Sequence, residues 1–152
     1  MGWGVAISVR HDIVCQPVAC EANSETMNVC AVTIGCKDGP LLIVSVYWSP
    51  EATYEDTKRF CTSLDQVIVK FNKLLIVEDF NPLCWPRAFR LISQLATEHN
   101  LHQLVTFPRR KQSILDLVYV SHHYYTAIVE DLPPVASADH HMVIITLNDC
   151  FK

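Results

Sequence analysis

The stretch Lys73-Leu74-Leu75-Ile76-Val77-Glu78-Asp79-Phe80-Asn81-Pro82 decides the fold. Four apolar residues, 74–77, run without a polar break, which is typical of a short strand buried on both faces. The run then ends in Asp79 and Asn81, and residues two apart in an extended chain point to the same side. Because ligands of open α/β sheets bind just outside the carboxyl ends of the strands, the stretch predicts a polar site there. An ordinary Asx-Pro turn after the strand would explain the same residues.

Length and composition limit the class of protein. The chain has 152 residues, half of them apolar, and a formal net charge of −4, which predict one domain with one core. The negative charge argues against a broad, sequence-independent grip on nucleic acid, and leaves Arg109-Arg110-Lys111 as a local basic patch. No apolar run reaches the ~18 residues of a membrane span, and the first residues do not resemble a signal peptide. We therefore expect an intracellular domain, nuclear or cytoplasmic, without membrane contact.

The cysteines indicate the redox environment. Seven cysteines, at positions 15, 20, 30, 36, 61, 84 and 150, form no CxxC pair and have no regular spacing. Their odd number and their places inside apolar runs predict reduced, mostly buried thiols. A zinc site is a poor alternative, because no ligand spacing supports it.

The hydrophobic period changes along the chain. Strands are predicted over 3–9, 13–20, 27–35, 41–48, 74–77, 114–120, 124–129 and 142–147, with Pro17 placing the second near an edge. Within 53–71 the apolar residues Phe60, Leu64, Val67, Ile68 and Phe71 define one face of a helix, and Thr53 with Asp56 resembles a capping box. A second helix starts at Pro86 and ends near 99–100. This order predicts an α/β fold, a two-layer mixed β-sandwich flanked by helices, as a single domain over 1–152.

Two further polar positions interrupt or precede apolar strands. Asp116 lies inside the apolar run 114–120, where a carboxylate is costly to bury unless it is paired or faces a site. A solvated strand face would also explain it. Asp139 and His140 stand just before the last strand, and supply a metal-binding oxygen and a proton-transferring imidazole, although a polar loop has the same composition. For His122-His123 an exposed loop is a full explanation.

Taken together, four strand ends carry polar residues that suit one site. They are Tyr47, Asp79 with Asn81, Asp116, and Asp139 with His140. We expect all of them to converge on one face of the sandwich. An unrelated small α/β binding domain with a chance cluster is the alternative from another class.

Five strings in order carry a family resemblance. WGVAISVR (3–10), YWSP (47–50), EDFN (78–81), LDLV (115–118) and ADHHMV (138–143) resemble the endonuclease/exonuclease/phosphatase family. They are most similar to the apurinic-type endonuclease domain of non-LTR retrotransposons of the jockey or chicken-repeat kind, where the strings read GVAIYVR, YRPP, GDFN, LDLV and SDHHxV. The resemblance covers nearly the whole chain, and it implies the DNase I-like fold and a metal-dependent phosphodiesterase acting on DNA.

The resemblance also implies a role for each matching residue. Asp79 would be the base or water-orienting acid, and Asn81 would hold that water and the phosphoryl group. Asp139, with Asp79, would hold Mg²⁺ or Mn²⁺. A metal and a cationic imidazole would neutralise the charge that builds on the phosphoryl oxygens during in-line attack.

The remaining roles concern the imidazole and the phosphate. Asp116 would pair with His140, setting its tautomer and charge, and raising its pKa because an opposite charge favours the imidazolium. Tyr47 would donate a hydrogen bond to the phosphate.

Several positions depart from the family strings. Glu78 replaces the glycine of GDFN, and is expected to crowd the Asp79 turn and add negative charge there. Ala138 replaces a serine, and Arg109 falls where the family has a threonine. The family's asparagine and metal-ligating glutamate strands lie upstream of the first string, so we expect a partial fold lacking its first strands. Such a chain would cleave DNA weakly or not at all, and an unpaired sheet edge would favour self-association. A non-catalytic relic or interaction protein that retains the fold is the second hypothesis.

Overall fold

The computed structural model describes residues 4–79, 87–106, 116–121, 127–133 and 142–147. Three strands come first, two helices then flank the fourth strand, and four more strands follow. In chain order the elements are β1 (Cys15–Pro17), β2 (Met27–Cys36), β3 (Gly39–Trp48), α1 (Tyr54–Ile68), β4 (Lys73–Asp79), α2 (Arg87–Glu98), β5 (Leu101–Gln103), β6 (Asp116–Ser121), β7 (Ile128–Leu132) and β8 (Met142–Thr146).

The strands form two sheets. Six of them pair in the order β1-β2-β3-β4-β6-β5, and β7 pairs with β8 in a separate two-stranded sheet. Only the β3–β4 pair among these is parallel. The helix α1 connects the two strands, and it carries the chain back to the end of the sheet where β3 begins. The predicted α/β fold with a mixed two-layer sandwich is confirmed.

The β2–β3 hairpin is built around a two-residue loop. Lys37 and Asp38 form the turn, and Cys36 faces Gly39 in the register. Gly39 has φ 107°, a left-handed conformation in which a residue with a Cβ would be strained. The register then continues without interruption to the pair of Met27 with Trp48. β1 lies at the edge of the sheet, as its proline predicts.

The first helix begins and packs as predicted. Thr53 is the N-cap, and a capping box joins Thr53 and Asp56 reciprocally. The apolar face predicted from the sequence is buried through Phe60, Leu64, Val67 and Ile68. The Phe60 ring meets the indole of Trp48 edge-on, with ring centroids 5.3 Å apart, so the helix is anchored to β3.

The second helix covers the same face of the sheet. Ile92, Leu95 and Ala96 are buried from the predicted apolar face. The helix ends where Asn100 adopts φ 52°, a left-handed conformation that asparagine tolerates better than most residues. His99 Nε2 lies 2.6 Å from Asp65 Oδ1, which ties the end of α2 to α1.

The core has two parts, one on each face of the six-stranded sheet. The helix-side cluster packs α1 and α2 on residues such as Val44, Trp48, Leu74 and Ile76. The sandwich-side cluster contains Leu41, Leu75, Val118 and Val120, against which Val129, Val143 and Ile145 of the small sheet pack. Alternate residues of β4 therefore pack in the helix-side cluster and in the sandwich-side cluster. Because both faces of the strand are buried, the run 74–77 is apolar throughout.

The structure differs from the prediction in four places. Residues 4–10 form no strand in the described part of the chain: they alternate between exposed and half-buried, but a strand also requires a paired neighbour. β7 (Ile128–Leu132) ends three residues later than the predicted strand 124–129, and 122–126, where that strand was predicted to begin, lie outside the described residues. The three-residue strand β5 was not predicted. Of the five described cysteines, all free, Cys15 is exposed and the others are half-buried, so the prediction of mostly buried thiols is wrong.

Candidate functional site

The candidate site lies where β4 ends. Asp79 is the last residue of β4, and its register partners are Tyr47 on β3 and Asp116 on β6. β3 runs parallel to β4, so Tyr47 also lies near a carboxyl end. β6 runs antiparallel, so its first residue, Asp116, reaches the same edge. Three residues that are far apart in the sequence therefore stand side by side on neighbouring strands.

All three side chains belong to the same face of the sheet. Successive side chains of a strand alternate between faces, so Asp79 shares its face with Leu75 and Asp116 shares its face with Val118. Both of these are in the sandwich-side cluster. Tyr47 likewise shares its face with Leu41 of that cluster. We call Tyr47, Asp79 and Asp116 the acidic row.

The chemistry of the acidic row is that of hard oxygen donors. Burial, and then the negative charge of Asp79, raise the pKa of the Tyr47 hydroxyl, so it stays protonated and able to donate a hydrogen bond. Two carboxylates on adjacent strands suit Mg²⁺, which commonly binds one or two protein carboxylates and keeps several waters. In the described residues no group of three or more His, Cys, Asp or Glu is placed to hold a metal ion.

Three residues of the predicted site cannot be placed. Asn81, Asp139 and His140 lie outside the described residues, as do Ala138 and Arg109. Their convergence on Asp79, the contact between Asp116 and His140, and the metal-binding role of Asp139 stay predictions.

The sequence predicted that the Glu78 side chain would lie close to the Asp79 side chain. In the structure the two side chains are on opposite faces of the sheet. Glu78 follows the alternation of β4 onto the opposite, helix-side face, where it is 1% exposed. Neither carboxyl oxygen has a hydrogen-bond partner among the described residues, and burial raises the pKa of Glu78 to about 8. The predicted negative charge beside Asp79 is therefore wrong, because a strand sends consecutive side chains to opposite faces. The predicted crowding of the turn after Asp79 stays a prediction, because residues 80–82 lie outside the described residues.

Glu78 shares its buried surroundings with two other titratable groups. Burial first, and then the charge of Glu78, raise the pKa of the Cys61 thiol to about 12. The same two causes raise the pKa of the Tyr119 hydroxyl. These groups lie between the sheet and the helices, and are not part of the acidic row.

The sequence analysis did not predict one residue that lies in line with the acidic row. Asn28 on β2 is the register partner of Tyr47, and it extends the row by one strand. It shares its face with Ile34 of the sandwich-side cluster. The available signal was the turn at Lys37-Asp38, because counting back from a two-residue hairpin loop pairs Tyr47 with Asn28.

Comparison with known proteins gives a fold relationship. No protein-family model and no curated protein matches this chain. Among solved structures, the endonuclease domain of TRAS1, a telomere-specific non-LTR retrotransposon, aligns with a TM-score of 0.69 at 17% identity, covering 91% of this chain and 70% of that domain. The human Nocturnin catalytic domain aligns with a TM-score of 0.55 at 15% identity, over 89% of this chain and 60% of that one.

A third alignment comes from bacteria. An endonuclease/exonuclease/phosphatase family protein of Bacteroides thetaiotaomicron gives a TM-score of 0.52 at 9% identity, over 77% of this chain and 52% of its own. The chain thus has the DNase I-like fold of these solved structures, and the fold that the sequence strings implied is confirmed. Neither helix in the described part of the chain is long and apolar enough to cross a membrane.

Proposed function

We propose that this chain is a metal-dependent phosphodiesterase domain of the DNA endonuclease type, and that the acidic row is its site. The observation that carries the proposal is the register of Tyr47, Asp79 and Asp116 across three neighbouring strands on one face. A TM-score of 0.69 to a retrotransposon endonuclease domain supports the choice of DNA as the substrate.

The residues divide the chemistry among them. Asp79 orients a water molecule and accepts its proton as the water attacks phosphorus. The P–O ester bond opposite the water breaks, and the leaving sugar oxygen takes up a proton. The protonated Tyr47 hydroxyl donates to a phosphoryl oxygen, where negative charge grows in the transition state. Asn81 holds the water and the phosphoryl group. Asp116 positions His140, which carries positive charge towards the reacting group.

The proposed cofactor is Mg²⁺ or Mn²⁺, held by Asp79 together with Asp139. When bound, the ion supplies positive charge that offsets the charge on the phosphoryl oxygens. The carboxylates of Asp79 and Asp116 are donors of the type this ion prefers. Glu78 adds no ligand, because it is buried on the other face.

The test is nicking of supercoiled plasmid by the purified chain with Mg²⁺ and with EDTA. We expect slow, metal-dependent nicking, because the described residues bring only two carboxylates to the row. Asp79→Asn should lower the rate by about 100-fold or more, since it removes the proton acceptor. Asp116→Asn should also lower it.

The matched control is Asp38→Asn in the β2–β3 turn. Its side chain is 71% exposed and lies beyond the other end of β3, roughly 30 Å from Tyr47 along the chain. Its nicking rate should equal that of the wild type. Equal rates for Asp79→Asn and Asp38→Asn would contradict the proposal.

A second candidate function is a non-catalytic protein that retains the fold. It is favoured by Ala138, which stands where the family strings have a serine and so lacks the hydroxyl. Such a protein would bind DNA oligonucleotides without cleaving plasmid at any concentration of Mg²⁺ or Mn²⁺. Calorimetric titration of the chain with Mg²⁺ would separate the two, because only the enzyme has reason to bind the ion through Asp79.

The cellular context follows from the same relationship. We propose that the domain belongs to a reverse-transcriptase-encoding element and works inside the cell, in the nucleus or the cytoplasm. The five free cysteines among the described residues agree with a reducing compartment. We also propose that the chain self-associates through the small sheet, whose strands β7 and β8 each have a single paired neighbour in the described part of the chain.

A further inference from the structure

The acidic row continues beyond its carboxylates onto β2. Asn28 stands directly opposite Tyr47, in an antiparallel pair whose Cβ atoms are about 5 Å apart. Neighbouring strands are spaced by about 4.8 Å, so Asn28 lies about 10 Å from Asp79 across the sheet. Four strands thus present Asn28, Tyr47, Asp79 and Asp116 in one line.

Charge is distributed unevenly along this line. The carboxylates occupy β4 and β6, whereas β3 and β2 offer a phenol and an amide. Two residues further from the strand ends, the same face presents Cys30 on β2, Ser45 on β3 and Val77 on β4. Cys30 and Ser45 are half-buried, and neither they nor Val77 is charged at neutral pH. The half of the line on β2 and β3 therefore has donors, and no carboxylate at these positions to repel an anion.

The Asn28 amide is available for a ligand. The residue is half-buried, and its side chain makes no hydrogen bond within the described part of the chain. A carboxamide nitrogen offers two N–H donors, and a donor bound to an ionised oxygen is stronger than one bound to a neutral acceptor. A phosphate oxygen is such an acceptor.

We propose that Asn28 binds the phosphate next to the one that reacts at Asp79, so that the substrate is a chain with at least two consecutive phosphates. This inference rests on the proposed phosphodiesterase function, and it adds a second phosphate-binding residue and the minimum length of the substrate. A phosphomonoester would occupy the acidic half of the row alone. A nucleic-acid strand laid along the row places its reacting phosphate at β4 and its neighbour at β2.

The test compares two ligands by NMR titration, with Ca²⁺ in place of Mg²⁺ to prevent cleavage. The thymidine dinucleotide has one internal phosphate, and the trinucleotide has two. The wild type should bind the trinucleotide more tightly. Asn28→Ala should weaken trinucleotide binding by about tenfold, the effect of losing a hydrogen bond to a charged group, and should leave dinucleotide binding unchanged. Asn28→Asp should weaken the trinucleotide further through like-charge repulsion.

Asn72→Ala is the matched control. Asn72 is exposed and directly precedes β4, at the end of the sheet opposite the row, so neither affinity should change. Thermal melting of each variant establishes that it is folded, and Asn28→Ser replaces Asn28→Ala if the latter is not.

The outcomes separate the two proposals. Binding of neither ligand by the wild type would contradict the proposed function, and this inference with it. Equal binding of the two ligands by the wild type, or equal loss of both in Asn28→Ala, would contradict the role of Asn28 alone.

Discussion

At the scale of single residues, Glu78 and Asp79 are neighbours with opposite environments. Asp79 ends β4 beside Tyr47 and Asp116, whereas the Glu78 carboxyl is buried beneath the helices. A carboxyl that loses hydration without gaining partners keeps its proton, and burial raises the pKa of Glu78 from 4.5 to about 8. The strand end thus holds a neutral acid on one face and the candidate site on the other.

We predict that Glu78 makes the stability of the domain fall with rising pH. Because its folded-state pKa lies above the ordinary 4.5, its contribution is complete below pH 4.5 and is lost as the pH rises through about 8. Between pH 5 and pH 9, the wild type should lose about 3–5 kcal/mol of unfolding free energy relative to Glu78→Gln, since one pKa unit corresponds to about 1.4 kcal/mol. Urea unfolding at several pH values measures this difference.

The control for that measurement is Glu51→Gln. Glu51 is exposed in the turn after β3, so its replacement should leave the pH dependence of the wild type unchanged. Parallel stability curves for the wild type and Glu78→Gln would show that Glu78 ionises freely in the folded protein.

At the scale of elements, the start of α1 links the helix to β2. Asp56 Oδ2 accepts hydrogen bonds from the Thr53 backbone N–H at 2.8 Å, from the Thr53 hydroxyl at 2.7 Å and from the Thr26 hydroxyl at 2.9 Å. Burial by itself would raise the pKa of Asp56. These hydrogen bonds and the charge of Arg59 outweigh burial, and hold the pKa below its ordinary 3.8. One carboxylate thus completes the capping box with Thr53 and ties the first turn of the helix to Thr26, the residue before β2.

We predict that Asp56→Ala lowers the unfolding free energy by about 1–2 kcal/mol at pH 7, the usual cost of losing a helix cap. Because the folded-state pKa is lowered, the contribution of Asp56 is present above pH 3.8 and is lost as the pH falls. The difference in unfolding free energy between the wild type and Asp56→Ala should therefore become smaller at acidic pH. Glu55→Ala, at the exposed neighbouring position, should change stability much less when measured in the same urea titration.

At the scale of the whole molecule, the small sheet has one covered face and one open face. Val129, Val143 and Ile145 pack on the large sheet, and the alternate residues point outwards. Among these, Ile128 is 54% exposed, Met142 44% and Ile144 43%. Neither strand of this sheet has a second paired neighbour among the residues that the structure describes. A two-stranded sheet with apolar outer residues and such edges is a place where chains associate.

We predict that the chain self-associates, and that Ile144→Lys shifts it towards the monomer, because a charged side chain on the open face disfavours burial against another copy. Sedimentation velocity over a range of protein concentrations measures the effect. Val69→Lys is the control, since Val69 is 69% exposed but lies at the end of α1. If the two variants sediment alike, the small sheet is not the contact.

The sequence by itself determined the local elements and selected the residues of the candidate site. The capping box at Thr53 and the apolar period of α1 depend on residues within a few positions of one another, and both are present as predicted. The unbroken run 74–77 likewise predicted a strand buried on both faces. Tyr47, Asp79 and Asp116 were selected because polar groups at strand ends are unusual in an apolar chain.

Only the tertiary structure decided which strands lie side by side and which face each residue takes. The pairing of β4 with β3 and β6 joins segments far apart in the chain, and no local period encodes it. The β2–β3 register brings Asn28 into the row, and the packing of the helices on one face of β4 buries Glu78 there. The lack of a paired neighbour leaves 4–10 without a strand among the described residues. The physical reason is that backbone hydrogen bonds between strands form wherever the whole chain buries its apolar surface best.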